Sequence, residues 1–216
     1  MLHIEHSLHP LTEFAPVRTI PFWIAQYPDE NDLDVMRNWI LNNEQRLIAQ
    51  YSDYSRSDGG TGLGKYSLTA QYNSFNLFSE TKDIAEFQNL LKFLRQEYKN
   101  FMNAYGTAIR ECSMYSWANV VRTGQSIDIH NHGATHYAYL SGNMHFDNYN
   151  TTTDYFNPFD TISYTRPNIK GVLTLFPSYL FHSASVHTEP FDRVSMAFDL
   201  YDKQHISGYE SNKIDF

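Results

Sequence analysis

Apolar positions recur along this chain with one period in its first half and another in its second. Residues 18–27, RTIPFWIAQY, are bulky and continuous, which predicts a strand; Pro21 lacks an N–H and keeps it near a sheet edge. Over 29–50 the spacing lengthens. Leu33, Met36, Ile40 and Leu47 fall on one face, and Asp29 or Asn31 can cap the first turn, so a helix is predicted. Residues 51–67, YSDYSRSDGGTGLGKYS, follow no period and read as a long loop. Residues 68–78, LTAQYNSFNLF, read as a strand. Thr81 is then expected to cap a second helix that ends near residue 105. Its stripe of Ile84, Phe87, Leu91, Leu94, Tyr98 and Met102 is a packing face.

From residue 115 the rhythm shortens. YSWANVV, SIDIHNH, HYAYL, NMHFDNY, TISY, VLTLF, LFHSASVH and RVSMAFDLY follow one another, separated by Gly, Asn, Asp and Pro. Short β-rich runs with turn signals between them predict a sandwich or barrel. The expected fold is therefore α+β. A double-stranded β-helix (jelly roll) core over 115–216 rests on an N-terminal support of helices and strands over 1–114, in one compact unit. The 16 Tyr and 15 Phe suit the pleated, half-buried surfaces of such a core.

Composition narrows the function classes. A net charge of −8 disfavours nucleic acid and anionic membranes as partners, leaving a small molecule or a peptide. The single cysteine, Cys112, excludes an internal disulfide and reads as a small buried hydrophobe. The first residues, MLHIEHSLHP, carry no apolar signal core, and no run approaches the roughly 20 apolar residues of a membrane span. A cytoplasmic location is expected, in a host cell if the protein is viral. Gly59, Gly64 and Lys65 have phosphate-loop spacing, but Tyr66 stands where that loop needs Ser or Thr, so 51–67 reads instead as a flexible loop or lid.

The chemistry concentrates in the histidines. Residues 123–147 hold four of them: His130, His132, His136 and His145. In a strand, positions i and i+2 face the same way, so His130 and His132 present both imidazoles to one side. Neutral imidazole suits iron, copper, nickel and zinc. His182, after the apolar run VLTLF and the turn PSYLF, is the candidate third ligand. A lone histidine is ordinarily a satisfied polar residue; two at i, i+2 with a distant third in a β-rich chain favour a metal. His136 and His145 read as supporting or surface residues, and His187 and His205 as structural. Asp128 shares the His130 face and is a candidate to orient an imidazole. Asp147 is a possible substitute ligand. Eleven residues after His182 come Arg193 and Ser195, on one strand face. A guanidinium can clamp a carboxylate with two parallel hydrogen bonds, and a neighbouring hydroxyl adds another.

HNH, LSGN, LFPSYLFH and RVS, in this order, resemble the Fe(II)- and 2-oxoglutarate-dependent oxygenase superfamily, and most of all the oxygenases of T4-like and marine cyanobacterial phages. The resemblance covers about 117–201. It implies a jelly-roll core, Fe(II), and 2-oxoglutarate that chelates the iron and is oxidatively decarboxylated to succinate and CO2. It makes His130 the first iron ligand and His182 the last, with Arg193 and Ser195 on the distal carboxylate and Asn119 in contact with cosubstrate or substrate. The function it implies is a dioxygenase acting as a hydroxylase. One departure stands out. The superfamily pattern is His-x-Asp or His-x-Glu, and here the middle position is His132.

Two other readings fit the same residues. The histidines partly match a cupin pattern, which gives a three-histidine metalloenzyme that does not use 2-oxoglutarate. The non-standard His132 also leaves room for a non-enzymatic jelly-roll binding or virion module.

Overall fold

The computed structural model describes residues 1–6, 12–15, 18–52, 57–133, 139–157, 163–205 and 212–216. Two antiparallel sheets face each other. Strand β1 (Leu2–His6) pairs with β2 (Thr19–Gln26). Helix α1 (Glu30–Tyr51) follows, then a short helix α2 (Leu77–Glu80) and the long α3 (Ala85–Tyr105). The remaining strands are β3 (Cys112–Val121), β4 (Ile127–His130), β5 (Leu140–His145), β6 (Thr152–Phe156), β7 (Ser163–Pro167), β8 (Val172–Pro177), β9 (Phe181–Ala184), β10 (Arg193–Asp202) and β11 (Ile214–Asp215). The larger sheet runs β1-β2-β8-β5-β10-β3-β11 and the smaller β4-β9-β6-β7. This is the expected double-stranded β-helix, and its larger sheet takes strands from both the 1–114 and the 115–216 regions.

Local chemistry explains the helices. Asp29 caps α1, its Oδ1 accepting from the N–H groups of Asn31 (2.9 Å) and Asp32 (3.3 Å). Leu33, Met36, Ile40 and Leu47 are all fully buried, each contributing about 1.5–3 kcal/mol relative to exposure. Of the predicted stripe of α3, Phe87, Leu91, Leu94, Tyr98 and Met102 are buried, together with Leu90 and Phe101, and Ile84, at the N-cap, is half-buried against the same core. Gly106 ends α3 in the left-handed conformation at φ 76°, which a glycine takes without a Cβ penalty.

Two expectations in this region fail. Residues 68–78 do not form a strand; they hold a 3-10 turn at Thr69–Gln71 and lead into α2. Asn76 decides this. Its Oδ1 accepts from the Phe78 N–H (3.1 Å) and caps α2, while its Nδ2 donates to the Met114 carbonyl (2.8 Å). A side chain that bonds backbone groups so close in sequence competes with a sheet ladder. Thr81 does not cap α3 either. Its hydroxyl bonds back to the Leu77 carbonyl (2.7 Å) at the end of α2, and Ile84 holds the α3 N-cap position without a side-chain bond. Pro21 is tolerated because β8 pairs with β2 only from Trp23 onward, so the Pro21 segment is bonded on one side alone.

Strand β10 organises the rest. It lies between β5 and β3 in the larger sheet, in register with both along much of its length. Its residues alternate. Val194, Met196, Phe198 and Leu200 join the core cluster that holds the buried faces of α1 and α3. Arg193, Ser195, Ala197, Asp199 and Tyr201 line a cavity on the opposite face. Both faces are buried, one by apolar packing and the other by the smaller sheet across the cavity.

Candidate metal centre

His130 stands directly opposite His182 in the β4–β9 ladder, which brings their ring centroids to 4.4 Å. His132 lies just past β4, held by its N–H to the Ser178 carbonyl (3.0 Å), with its ring centroid 5.2 Å from that of His130 and 4.9 Å from that of His182. The potential ligand atoms of the three side chains all lie within 4.8 Å of one another. Geometry thus assembles the three histidines that the sequence singled out.

Each ring is fixed through Nδ1. His130 Nδ1 faces the backbone carbonyl of Asp128 at 2.8 Å, His182 Nδ1 that of Leu180 at 3.1 Å, and His132 Nδ1 faces Oδ1 of Asp199 at 2.7 Å. A carbonyl oxygen can only accept, so Nδ1 of His130 and His182 carries the proton and Nε2 keeps its lone pair. The Asp199 carboxylate favours the same tautomer for His132. His130 and His132 nevertheless bring their Nε2 atoms to 3.3 Å. Lone pairs aimed at each other repel unless a cation lies between them. Adjacent ligands at about 2.1 Å from one ion stand about 3.0–3.4 Å apart, so the donor set fits a metal. Burial first, then the neighbouring rings, lower the pKa of His130, and the same causes hold His182 well below its ordinary value. Neutral imidazoles are what a metal ligand requires.

Aromatic rings sheathe the cluster. Trp117 lies 5.3 Å from His132, Phe176 4.9 Å from His182, and Tyr155 stacks over His182 at 5.9 Å. The cavity in front has a volume of about 260 Å³. Across it, on β10, Arg193 is 1% exposed, and its Nε and Nη1 have no hydrogen-bond partner among the described residues. Burial pushes its pKa down to about 10, so it stays charged at neutral pH. A buried, charged guanidinium with two nitrogens unpartnered is costly, and an anionic ligand would satisfy them. Ser195 is in register with Asn119 on β3 and with His145 on β5, which forms a polar row across three strands of the cavity wall. Asn119 Oδ1 accepts from Thr69 Oγ1 (2.7 Å), which leaves its amide N–H groups to donate.

The other candidates fall elsewhere. Asp128 supports His130 through its backbone carbonyl, while its carboxylate lies against Gly62 of the 51–67 loop. Asp147 is no ligand; it caps Asn148 N–H (2.8 Å) and lies 3.9 Å from Arg37 Nε. His145 is buried in the cavity wall with an unpartnered Nδ1. His187 is fully buried with Nε2 on the Phe191 carbonyl, and His205 is exposed. His136 lies outside the described residues. In the loop, Asp58, Gly59 and Thr61 contribute to the cavity wall, and residues 53–56 lie outside the described set. Gly59 and Gly64, of the phosphate-loop spacing, both take positive φ in this turn-rich segment. Asp199 and Tyr155 were not foreseen. Asp199 shares strand parity with Arg193 and Ser195, and that parity was the signal for it.

No protein-family model matches the chain, and no curated protein matches it in sequence. Solved structures do share its fold. A prolyl hydroxylase from Trichoplax adhaerens, solved with a hypoxia-inducible factor peptide fragment, superposes at TM-score 0.58 with 12% identity, over 85% of this chain and 84% of that one. A Pseudomonas putida prolyl-4-hydroxylase gives 0.52 at 9% identity, covering 84% and 92%. A viral collagen prolyl hydroxylase from Paramecium bursaria Chlorella virus-1, solved with 2OG, gives 0.51 at 10% identity, covering 84% and 96%. The shared property is the jelly-roll architecture. Among the described residues no helix is long and apolar enough to cross a membrane.

Proposed function

We propose that this protein is an Fe(II)- and 2-oxoglutarate-dependent dioxygenase that hydroxylates a small molecule or a peptide. The observation that carries this reading is the clustering of potential ligand atoms of His130, His132 and His182 within 4.8 Å of one another, across a cavity from the buried Arg193, whose Nε and Nη1 have no partner among the described residues. The three histidines would hold the ferrous ion. Arg193 and Ser195 would hold the distal carboxylate of 2-oxoglutarate, and the Asn119 amide would donate to cosubstrate or substrate. When bound, metal and cosubstrate supply the oxidising chemistry. The chain's own residues orient them and keep water out through Trp117, Tyr155 and Phe176. The fold neighbours support the reading, since they include prolyl hydroxylases and one solved with 2OG. The charge of −8 argues against a nucleic-acid substrate.

The donor set of three nitrogens favours one alternative, a cupin-type metalloenzyme that works without 2-oxoglutarate. Anaerobic Fe(II) titration with and without 2-oxoglutarate separates the two. A weak visible charge-transfer band that needs both components is expected. Iron binding with no such band indicates the cupin-type enzyme, and no iron binding indicates a non-enzymatic module.

A further inference from the structure

The three histidines differ in what holds them. His130 and His182 rest on neutral backbone carbonyls, whereas His132 rests on the Asp199 carboxylate. That carboxylate is itself fixed. Its Oδ1 also accepts from Ser141 Oγ at 2.6 Å, and Asp199 is in register with Ser141 on β5 and Tyr115 on β3. Asp199 is 6% exposed, and no Lys or Arg among the described residues pairs with it. A buried carboxylate without a cation is expensive. The other carboxylate in the cavity wall, Asp58, is engaged by the N–H groups of Gly60 and Gly64.

We propose that Asp199 is the positioning residue that returns to this site, one ring removed, the negative charge that a His-x-Asp pattern places on the metal itself. His132 occupies the acid's position, and it alone of the three rings is backed by a carboxylate. Donation of its Nδ1–H to Asp199 fixes the tautomer and makes Nε2 a stronger donor. A divalent ion at Nε2 in turn gives the buried carboxylate its missing cation. The inference rests on the metal site proposed above and is independent of 2-oxoglutarate.

Co(II) titration followed by its visible ligand-field spectrum tests this without any turnover. Asp199→Asn keeps an oxygen for the ring and removes the charge; it should bind Co(II) about 10–100-fold more weakly than wild type. Adding His132→Asp to that variant returns an acid to the metal's own shell. His132→Asp should strengthen Co(II) binding more in the Asp199→Asn background than in the wild type, where Asp199 already supplies the charge; an equal change in both backgrounds, as a merely structural role gives, overturns the proposal. Binding by Asp199→Asn within twofold of wild type overturns the proposal. Should Asp199→Asn fail to fold, Asp199→Ser, which also removes the charge, replaces it: the same weakening of about 10–100-fold supports the proposal, and binding within twofold of wild type overturns it. Wild-type protein that binds no Co(II) overturns both this inference and the metal site. A wild-type spectrum indifferent to 2-oxoglutarate overturns only the cosubstrate, and the role of Asp199 stands.

Discussion

Arg193 and His145 share the cavity wall, and each buries nitrogen atoms without a partner among the described residues: Nε and Nη1 of the arginine, Nδ1 of the histidine. Burial, and after it the charge of Arg193, holds His145 well below its ordinary pKa. A buried cation with Nε and Nη1 unpartnered reduces the stability of the protein without its ligands, so function and stability conflict here. Arg193→Met should therefore raise the thermal midpoint of the empty protein, or leave it unchanged. 2-Oxoglutarate should raise the wild-type midpoint and not that of the variant. Loss of a buried charged partner costs about 2–5 kcal/mol, so the cosubstrate Kd should rise at least about 30-fold. Unchanged cosubstrate affinity in Arg193→Met would remove this residue from the site.

His182 offers the matching test at the metal. Its ring is fixed by the Leu180 carbonyl and surrounded by Tyr155 and Phe176, so it has little freedom to turn away. His182→Ala should abolish Fe(II) binding. Added Fe(II) should raise the wild-type melting midpoint, and a chelator should reverse the gain, because an ion that binds only the folded state stabilises it by mass action. The variant's midpoint should respond to neither. A variant that still melts higher with Fe(II) would exclude His182 as a ligand.

The loop over the site is pinned by contacts that can be broken one at a time. Thr61 accepts the Asp128 N–H (2.9 Å), and Asp58 accepts from the N–H groups of Gly60 and Gly64 (3.1 and 2.8 Å). Gly62 sits at φ +76°, where a Cβ would lie 2.8 Å from the Asp128 Cγ. Gly62→Ala thus combines backbone strain of about 1–2 kcal/mol with a contact that the exposed Asp128 carboxylate must turn away from, next to His130. We expect the loop to lift. Hydrogen exchange should read this directly: the Asp128 amide loses protection while those of α1 keep theirs. Equal protection in the two proteins would mean that the loop is not fastened through Gly62.

Much of this architecture was legible because each face of a strand has one environment. The parity of β10 separates Arg193 and Ser195 from the core residues Val194 and Met196. His132 reaches the site by another route than the expected strand parity: β4 ends at His130, and the Ser178 carbonyl holds the His132 N–H. The parity of β10 continued to Asp199, but an acidic side chain on a strand reads as solvated until the sheet that covers it is known. Strands β1 and β6 were silent for a related reason. LHIEH and TTDYF carry few apolar side chains, and β6 buries only Thr153 and Tyr155. The 68–78 segment misled in the opposite direction. Its apolar residues Leu68, Phe75, Leu77 and Phe78 are all buried, yet turns held by Asn76 bury them.

Gly142 separates packing from chemistry within the LSGN motif. It lies on β5 between Ser141 and Asn143, whose side chains face the cavity, and its own Cα faces the core. A Cβ there would meet the Phe198 ring (Cε1 at 2.6 Å) and Leu175 Cδ2 at 2.8 Å, and both residues are buried. Phe198 stands opposite in the β5–β10 ladder, with little room to yield. Overpacking of this kind costs about 1–3 kcal/mol. For a chain of this size that lowers the melting midpoint by about 2–12 °C. Phe198→Leu should restore part of the loss in Gly142→Ala, although it destabilises the wild-type protein by opening a cavity. Co(II) affinity, measured below the melting range, should change little in either variant, because the cavity-facing side chains of β5 and β10 are untouched. A Gly142→Ala protein with a wild-type melting midpoint would show that β5 shifts to accommodate the methyl group, and the sheet behind the metal centre would then be less rigid than its register implies.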